Sequence, residues 1–318
     1  MGEIAILDLG YESYEYEKKL FKRKGYDLKL YRGDPLDQEE KIKFARNCQG
    51  ILVRSTVVDD YLLGRLKNLK AIVRYGVGID NINLKRATEI GIKVANVQRY
   101  ANHSVSDHAL ALMMLCVRGL AAGKKKINSD FSKPPFTDII ELHDKTLGII
   151  GLGNIGSVFC RKAKALFNKV LANDPYIDQE KFDRLEVEKT NFEGLLRQSD
   201  IISLHCSLTD ETRHLINKNS IKLMKKKPVL INTARGPIVM QSDLLKAIDS
   251  GLIHSAGLDV LENEPPGDEE QKLIKHPRIF VTGHYAWYSE NAIAELQKRA
   301  ANNLIDLLNG KNPEDCLN

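Results

Sequence analysis

Three glycines in the spacing Gly151-Leu-Gly153-Asn-Ile-Gly156 follow the apolar run Leu147–Ile150 and open a helical stretch from Ser157 to Asn168. In such a turn Gly151 permits the tight bend, Gly153 lets the backbone approach a pyrophosphate, and Gly156 lets helix and strand pack closely. The N–H groups at the helix start then face the phosphate charge. An acidic residue, Asp174, ends the next apolar run 18 residues after Gly156, near the roughly 20 expected of a ribose ligand. A carboxylate there accepts from both ribose hydroxyls and repels a 2′-phosphate, which favours NAD over NADP. Three more segments end predicted strands, where an open α/β sheet builds its site. They are Asn232-Thr-Ala-Arg235-Gly, Leu258-Asp-Val-Leu-Glu-Asn-Glu264-Pro-Pro and Thr282-Gly-His284-Tyr-Ala-Trp287-Tyr288. Taken singly, the Arg, Glu and His of these segments read as an ion pair, a loop charge and a packed ring.

The elements that must position these residues follow a βαβα rhythm. Strand-like runs at Ile4–Leu7, Leu28–Tyr31, Gly50–Val53, Ala71–Arg74 and Lys93–Asn96 alternate with helical or turn-rich stretches. After a polar interval the rhythm restarts with Leu147–Gly151, Lys169–Asn173, Ile201–Leu204, Val229–Asn232, Ser255–Val260 and Ile279–Thr282. This predicts two doubly wound parallel-sheet α/β domains, divided near residue 100 with a return crossing near residue 288. Ser104–Leu120 reads as one long apolar helix buried between packed bodies, and Ser289–Asn309 as a closing helix.

Composition narrows the class. The 318 residues, 43% hydrophobic and 28% charged, suit a globular protein. The net charge of +5 is dispersed, and the triplets Lys124–Lys126 and Lys225–Lys227 read as solvated helix faces rather than a nucleic-acid arm. Five cysteines without a Cys-x-x-Cys pair argue against a disulfide framework or a zinc site, and no metal is expected. No apolar run reaches membrane-spanning length, and no basic region precedes the apolar N-terminal stretch, so neither a membrane association nor a secretory leader is expected. A cytoplasmic location is the expectation.

The four motifs, in this order, resemble the D-2-hydroxyacid dehydrogenase family, which includes phosphoglycerate dehydrogenases and hydroxypyruvate and glyoxylate reductases. The resemblance runs from about Ile51 to Leu308. It implies a Rossmann NAD-binding domain over residues 101–288 and a flavodoxin-like substrate-binding domain over residues 1–100 plus 289–318. It also implies hydride transfer between NAD and a D-2-hydroxyacid or its 2-oxo acid. Carried over residue by residue, Arg235 would bind the substrate carboxylate and polarise the 2-oxo group, as a planar charged fork can. His284 would exchange the proton with the carbonyl oxygen, and Glu264 would hold the far nitrogen of His284.

The same resemblance implies further contacts. Asn154 and Ile155 line the pyrophosphate turn, Thr233 and Ala234 pass beneath the nicotinamide, and Asp259 holds its carboxamide. In His205-Cys206-Ser207-Leu-Thr209, Ser207 stands where the family usually has Pro, and Cys206 either flanks the adenosine or is a small buried hydrophobe. In the first domain Arg74-Tyr-Gly-Val77-Gly78-Ile-Asp-Asn resembles the family's substrate-carboxylate loop, whose backbone N–H groups form an anion nest. Arg54 and Arg74 are read as receptors for a phosphorylated hydroxyacid, as carboxylate-steering charges or as surface residues. Trp287 and Tyr288 resemble the C-terminal-binding-protein branch, where the Trp borders the substrate; domain packing is the other reading of Trp287. That branch supplies the alternative function, a dinucleotide-sensing corepressor. Formate dehydrogenases carry Gln where Glu264 stands. A homodimer is expected, as is the lack of an appended regulatory domain. Among the other histidines, His103, His108, His143, His254 and His276 show no metal spacing and read as structural or surface residues.

Overall fold

The structure, a computed structural model, describes residues 2–127, 131, 134 and 136–318. The chain forms two compact units, residues 1–101 with 289–318, and residues 102–288. In the first unit β1 (Gly2–Ile6), β2 (Tyr26–Leu30), β3 (Gly50–Val53), β4 (Ala71–Arg74) and β5 (Lys93–Ala95) form a parallel sheet in the order β2-β1-β3-β4-β5. Ile4 lies opposite both Leu28 and Gly50. β3 is buried along its whole length, as its unbroken Gly-Ile-Leu-Val run demands of a strand covered on both faces. The helix Glu290–Leu308 covers β3 and β4 and packs on the helix Glu15–Arg23. It starts where the Ser289 hydroxyl accepts from the Ala292 N–H at 3.2 Å. Its apolar face runs through Ala292, Leu296, Ala300 and Leu304, all buried, at the i, i+4 spacing that keeps one stripe on the sheet.

The second unit holds β6 (Thr146–Ile150), β7 (Lys169–Asn173), β8 (Glu188–Lys189), β9 (Ile201–Leu204), β10 (Val229–Asn232), β11 (Ser255–Leu258) and β12 (Ile279–Val281). Their parallel order is β12-β11-β10-β9-β6-β7-β8. The chain therefore winds outward from β6 in one direction, then returns to build the other half from β9. That reversal opens a crevice at the C-terminal ends of β6 and β9, where open α/β sheets take their ligands.

Three local expectations are corrected. The long apolar helix runs from Asn102 to Arg118 and then breaks, because Gly119 adopts φ +60 before a second helix, Leu120–Lys126. It lies on β10 and β11 and on the helix Asn154–Ala163, burying Val105, Ala109, Leu112, Met113 and Cys116. β8 was absent from the sequence reading: two exposed residues carry no apolar pattern. Lys225–Lys227 is exposed as expected, but in a turn rather than on a helix. Among the described residues no single helix is long and apolar enough to cross a membrane; the bent pair Asn102–Arg118 and Leu120–Lys126 passes that test only together, with a 52° bend.

Candidate active site

The glycine turn joins β6 to the helix Asn154–Ala163. Gly151 has φ +91, and a Cβ there would collide with the backbone of His205 and Cys206 at the end of β9. A Cβ on Gly156 would meet the Gly151 carbonyl, whereas one on Gly153 would meet open space. The turn is thus packed on two sides and open on the third, and its N-cap, Gly153, has no side chain to accept from the first helix N–H groups. That is a cradle for an anion. Asp174 stands just past β7 and bonds to this turn: its Oδ2 accepts from Leu152 N–H at 2.8 Å and its Oδ1 from Tyr176 N–H at 3.1 Å. Cys206, whose backbone a Cβ on Gly151 would strike, is half-buried, and burial pushes its thiol up to about 11. His205 donates or accepts at Ser203 Oγ, 2.9 Å away, and burial holds its ring neutral, with a pKa of about 3. After β10, Thr233 is buried with no partner for its hydroxyl among the described residues, and Ala234 packs on the core beside it. The open cradle, the Asp174 carboxylate beside it and the orphaned Thr233 hydroxyl fit a dinucleotide.

His284 lies past β12 with φ +55. Its Nδ1 is 2.6 Å from Glu264 Oε2, and Glu264 Oε1 accepts from Leu261 N–H at 3.0 Å. Burial pushes the Glu264 carboxyl up, but the His284 hydrogen bond, the His284 charge, the Leu261 N–H and the Arg235 charge outweigh it and hold it below its usual value. Arg235 ends the turn after β10. Its carbonyl accepts from Asn232 Nδ2 at 2.9 Å, and its Nη1 donates to Ala234 O at 2.8 Å. Gly236 follows because a Cβ there would strike the Leu261 carbonyl, so the Arg235 and Glu264 loops approach closely. A cavity of about 330 Å³ lies against the pair, lined by Leu261, Glu264, Pro265, Val281, Thr282 and His284 among others.

Asp259 is only 1% exposed, and its carboxylate organises the turn that carries His284. It accepts from Thr282 Oγ1 at 2.6 Å, Tyr285 N–H at 3.2 Å and Ala286 N–H at 2.9 Å. His108 Nε2 lies 2.9 Å from Thr282 Oγ1 and 3.5 Å from Asp259 Oδ1, with its ring edge-on to Tyr285. His108, which lacks metal-ligand spacing and reads in sequence as a structural or surface residue, finds its partners more than 150 residues away. Trp287 folds back so that its indole N–H donates to the His284 carbonyl at 2.9 Å.

The residues singled out in the first unit lie at the C-terminal ends of its strands. Arg54 follows β3 and Arg74 ends β4. Val77 is exposed and Gly78 half-buried in the bend beyond β4, where Asn96 Nδ2 donates to Val77 O at 2.7 Å. The Arg54 segment hangs on a carboxylate the sequence reading missed. Asp8 Oδ2 accepts from Arg54 N–H at 2.7 Å, Ser55 N–H at 2.9 Å and Thr56 N–H at 2.9 Å. Its Oδ1 accepts from Thr56 Oγ1 at 2.7 Å and pairs with Lys41 Nζ at 3.1 Å. Burial alone would raise the Asp8 pKa, but these donors and the Lys41 charge lower it to about 2.

Residues 110–286 match the family described as D-isomer specific 2-hydroxyacid dehydrogenase, NAD binding domain. A hydroxypyruvate reductase of Thermotoga maritima is 37% identical over 273 residues, covering 85% of this chain and 87% of that protein. A D-3-phosphoglycerate dehydrogenase of Archaeoglobus fulgidus is 34% identical over 96% of this chain, which spans 57% of that longer protein. Among solved structures, a D-lactate dehydrogenase from Aquifex aeolicus complexed with NAD and lactic acid superposes with a TM-score of 0.86 at 28% identity, covering 97% of this chain and 96% of that one.

Proposed function

This chain belongs to the D-isomer-specific 2-hydroxyacid dehydrogenase family, and from that premise we propose that it interconverts a D-2-hydroxyacid and its 2-oxo acid with NAD. The observation that carries the reading is the 2.6 Å bond between His284 Nδ1 and Glu264 Oε2, with the Arg235 charge acting on the same carboxylate. The carboxylate fixes the proton on Nδ1, so Nε2 is the nitrogen that gives a proton to the carbonyl oxygen during reduction and takes it back during oxidation. Arg235 binds the substrate carboxylate and polarises the 2-oxo group. Thr282 and Asp259 hold the His284 turn, and Trp287 clamps its carbonyl, so the ring is pre-oriented.

In this reading Gly151, Gly153, Asn154, Ile155 and Gly156 cradle the pyrophosphate, Asp174 takes the ribose hydroxyls, and Cys206, Thr233 and Ala234 line the remaining cofactor surface. When bound, the nicotinamide supplies or accepts the hydride at substrate C2. Asp259, read from the resemblance as a carboxamide ligand, is assigned mainly to positioning because its carboxylate oxygens already accept from the His284 turn. Residues 1–100 plus 289–318 are read as the substrate-binding domain, with the Val77–Gly78 bend offering N–H groups to the carboxylate. Arg54 and Arg74 favour a second, narrower reading in which the substrate carries a phosphate, as in a D-3-phosphoglycerate dehydrogenase. We read the protein as a cytoplasmic homodimer.

The test is NADH oxidation followed at 340 nm with glyoxylate, pyruvate, hydroxypyruvate, phosphohydroxypyruvate, 2-oxoglutarate and branched or aromatic 2-oxo acids. Turnover of one or more is expected. Tight NADH binding with no turnover on any of them would favour the dinucleotide-sensing binding protein instead.

A further inference from the structure

The imidazole of His214 and the carboxylate of Glu262 have no part in the reaction proposed above, yet they join two loops that carry its residues. His214 Nε2 lies 2.7 Å from Glu262 Oε1, with both side chains half-buried. A carboxylate only accepts, so the imidazole donates from Nε2. His214 sits in the loop after β9 with φ +52, a left-handed conformation that a residue with a side chain adopts when its surroundings impose it. Its N–H donates to Pro237 O at 2.7 Å, Asn217 Nδ2 donates to its carbonyl at 2.8 Å, and Ile216 N–H donates to Ile238 O at 3.0 Å. The backbone at 214–216 is thereby fastened along the segment that follows Arg235.

Three contacts close a circuit here. One is that pairing of 214–216 with 237–238. Another is the approach of Gly236 to the next loop, so close that a Cβ on the glycine would strike the Leu261 carbonyl and the Glu262 nitrogen. The third is the His214–Glu262 bond. Arg235 precedes Gly236, and Glu264 lies two residues beyond Glu262, so both ride on the circuit. They are not held alike. The Arg235 loop is fixed at its own strand end, where Asn232 Nδ2 donates to Arg235 O at 2.9 Å. The 261–264 loop leans on side chains from elsewhere: Glu262 on His214, and Asn263 on the helix Asp268–Lys275, where its Nδ2 donates to Glu270 Oε1 at 2.7 Å. Glu264 spends one oxygen on Leu261 N–H of its own loop and the other on His284, so its place depends on those two tethers.

We infer that His214 and Glu262 are positioning residues: their bond, together with that between Asn263 and Glu270, fixes the 261–264 loop so that the Glu264 carboxylate meets His284 Nδ1. The inference rests on the dehydrogenase reading. Loosening the bond lowers turnover rather than substrate binding, because Arg235 keeps its own anchor while His284 loses a fixed partner.

Glu262→Ala removes the tether, and His214→Asn removes the imidazole while keeping a residue that tolerates positive φ. Each variant would be assayed with NADH and the 2-oxo acid, among those named above, that the wild type reduces fastest, alongside the NADH Kd and the melting temperature. In each, kcat should fall about tenfold or more, with KM and the NADH Kd within about twofold of wild type. The double variant should fall no further than the deeper single one, since both changes break the same bond. Glu262→Gln, which keeps an oxygen for the same donor, should recover most of the loss. A kcat within about twofold of wild type in both single variants overturns the inference, whatever happens to the melting temperature. So does a Glu262→Gln loss as deep as that of Glu262→Ala. A wild type that reduces none of the 2-oxo acids overturns the dehydrogenase reading, and the inference falls with it.

Discussion

In the proposed reaction Arg235 would carry two tasks in one side chain, because a guanidinium presents parallel N–H donors to a carboxylate while remaining charged. Lysine keeps the charge and loses the fork. Arg235→Lys should therefore raise KM and lower kcat together, reducing kcat/KM by about 100-fold or more; unchanged steady-state constants would remove Arg235 from this role. Asp174, proposed as the ribose ligand, also accepts from Leu152 N–H. Asp174→Ser should shift preference toward NADP and also weaken NADH, because the Leu152 donor loses its acceptor. Fluorescence titration of both reduced cofactors checks each half; an unmoved NADH-to-NADPH affinity ratio would exclude Asp174 as the ribose ligand.

At the scale of the element, the glycine turn separates folding from binding. Gly151 is required by its φ of +91 and by the backbone of the β9 end, whereas Gly153 faces open space. Gly153→Ala should fold with a melting temperature near that of wild type yet bind NADH at least about tenfold more weakly; unaltered affinity would place the pyrophosphate elsewhere. The Asp8 network is the counterpart in the first unit. Asp8 has its pKa lowered from 3.8 to about 2, so the folded state prefers the carboxylate. Its contribution, about 2 kcal/mol, is present above pH 4 and is lost as pH falls from about 4 to 2. Asp8→Asn should lose about 3 kcal/mol at pH 7, since Lys41 stays buried without its counter-charge, and show a shallower decline between pH 4 and 2. Urea unfolding at pH 7 and pH 3 measures both effects, and parallel pH profiles would contradict them.

At the scale of the whole molecule, the Leu120–Lys126 helix and the segment after it leave Leu120, Ile127 and Phe131 at 58, 53 and 86% exposure. Apolar side chains so exposed in one stretch suit an interface between copies of the chain. Sedimentation at micromolar concentration should report twice the chain mass, and Leu120→Asp with Ile127→Asp should shift it toward one. A wild-type monomer would exclude the homodimer.

Much of this was legible in residue order, because its causes are local. The glycine spacing, the acidic residue after the next apolar run and the unbroken apolar strands each lie within a few turns of chain, where periodicity and turn chemistry act. The likeness to a family supplied the pairing of Glu264 with His284, 20 residues apart, which spacing alone leaves open. Tertiary structure decided the rest. Asp8 meets Lys41 and Thr56 across 33 and 48 residues, His108 meets Thr282 across 174, and Tyr11, after β1, meets Tyr75, after β4, with β3 between those strands in the sheet. Those meetings depend on strand order and register, which are set by how whole elements bury their faces against one another.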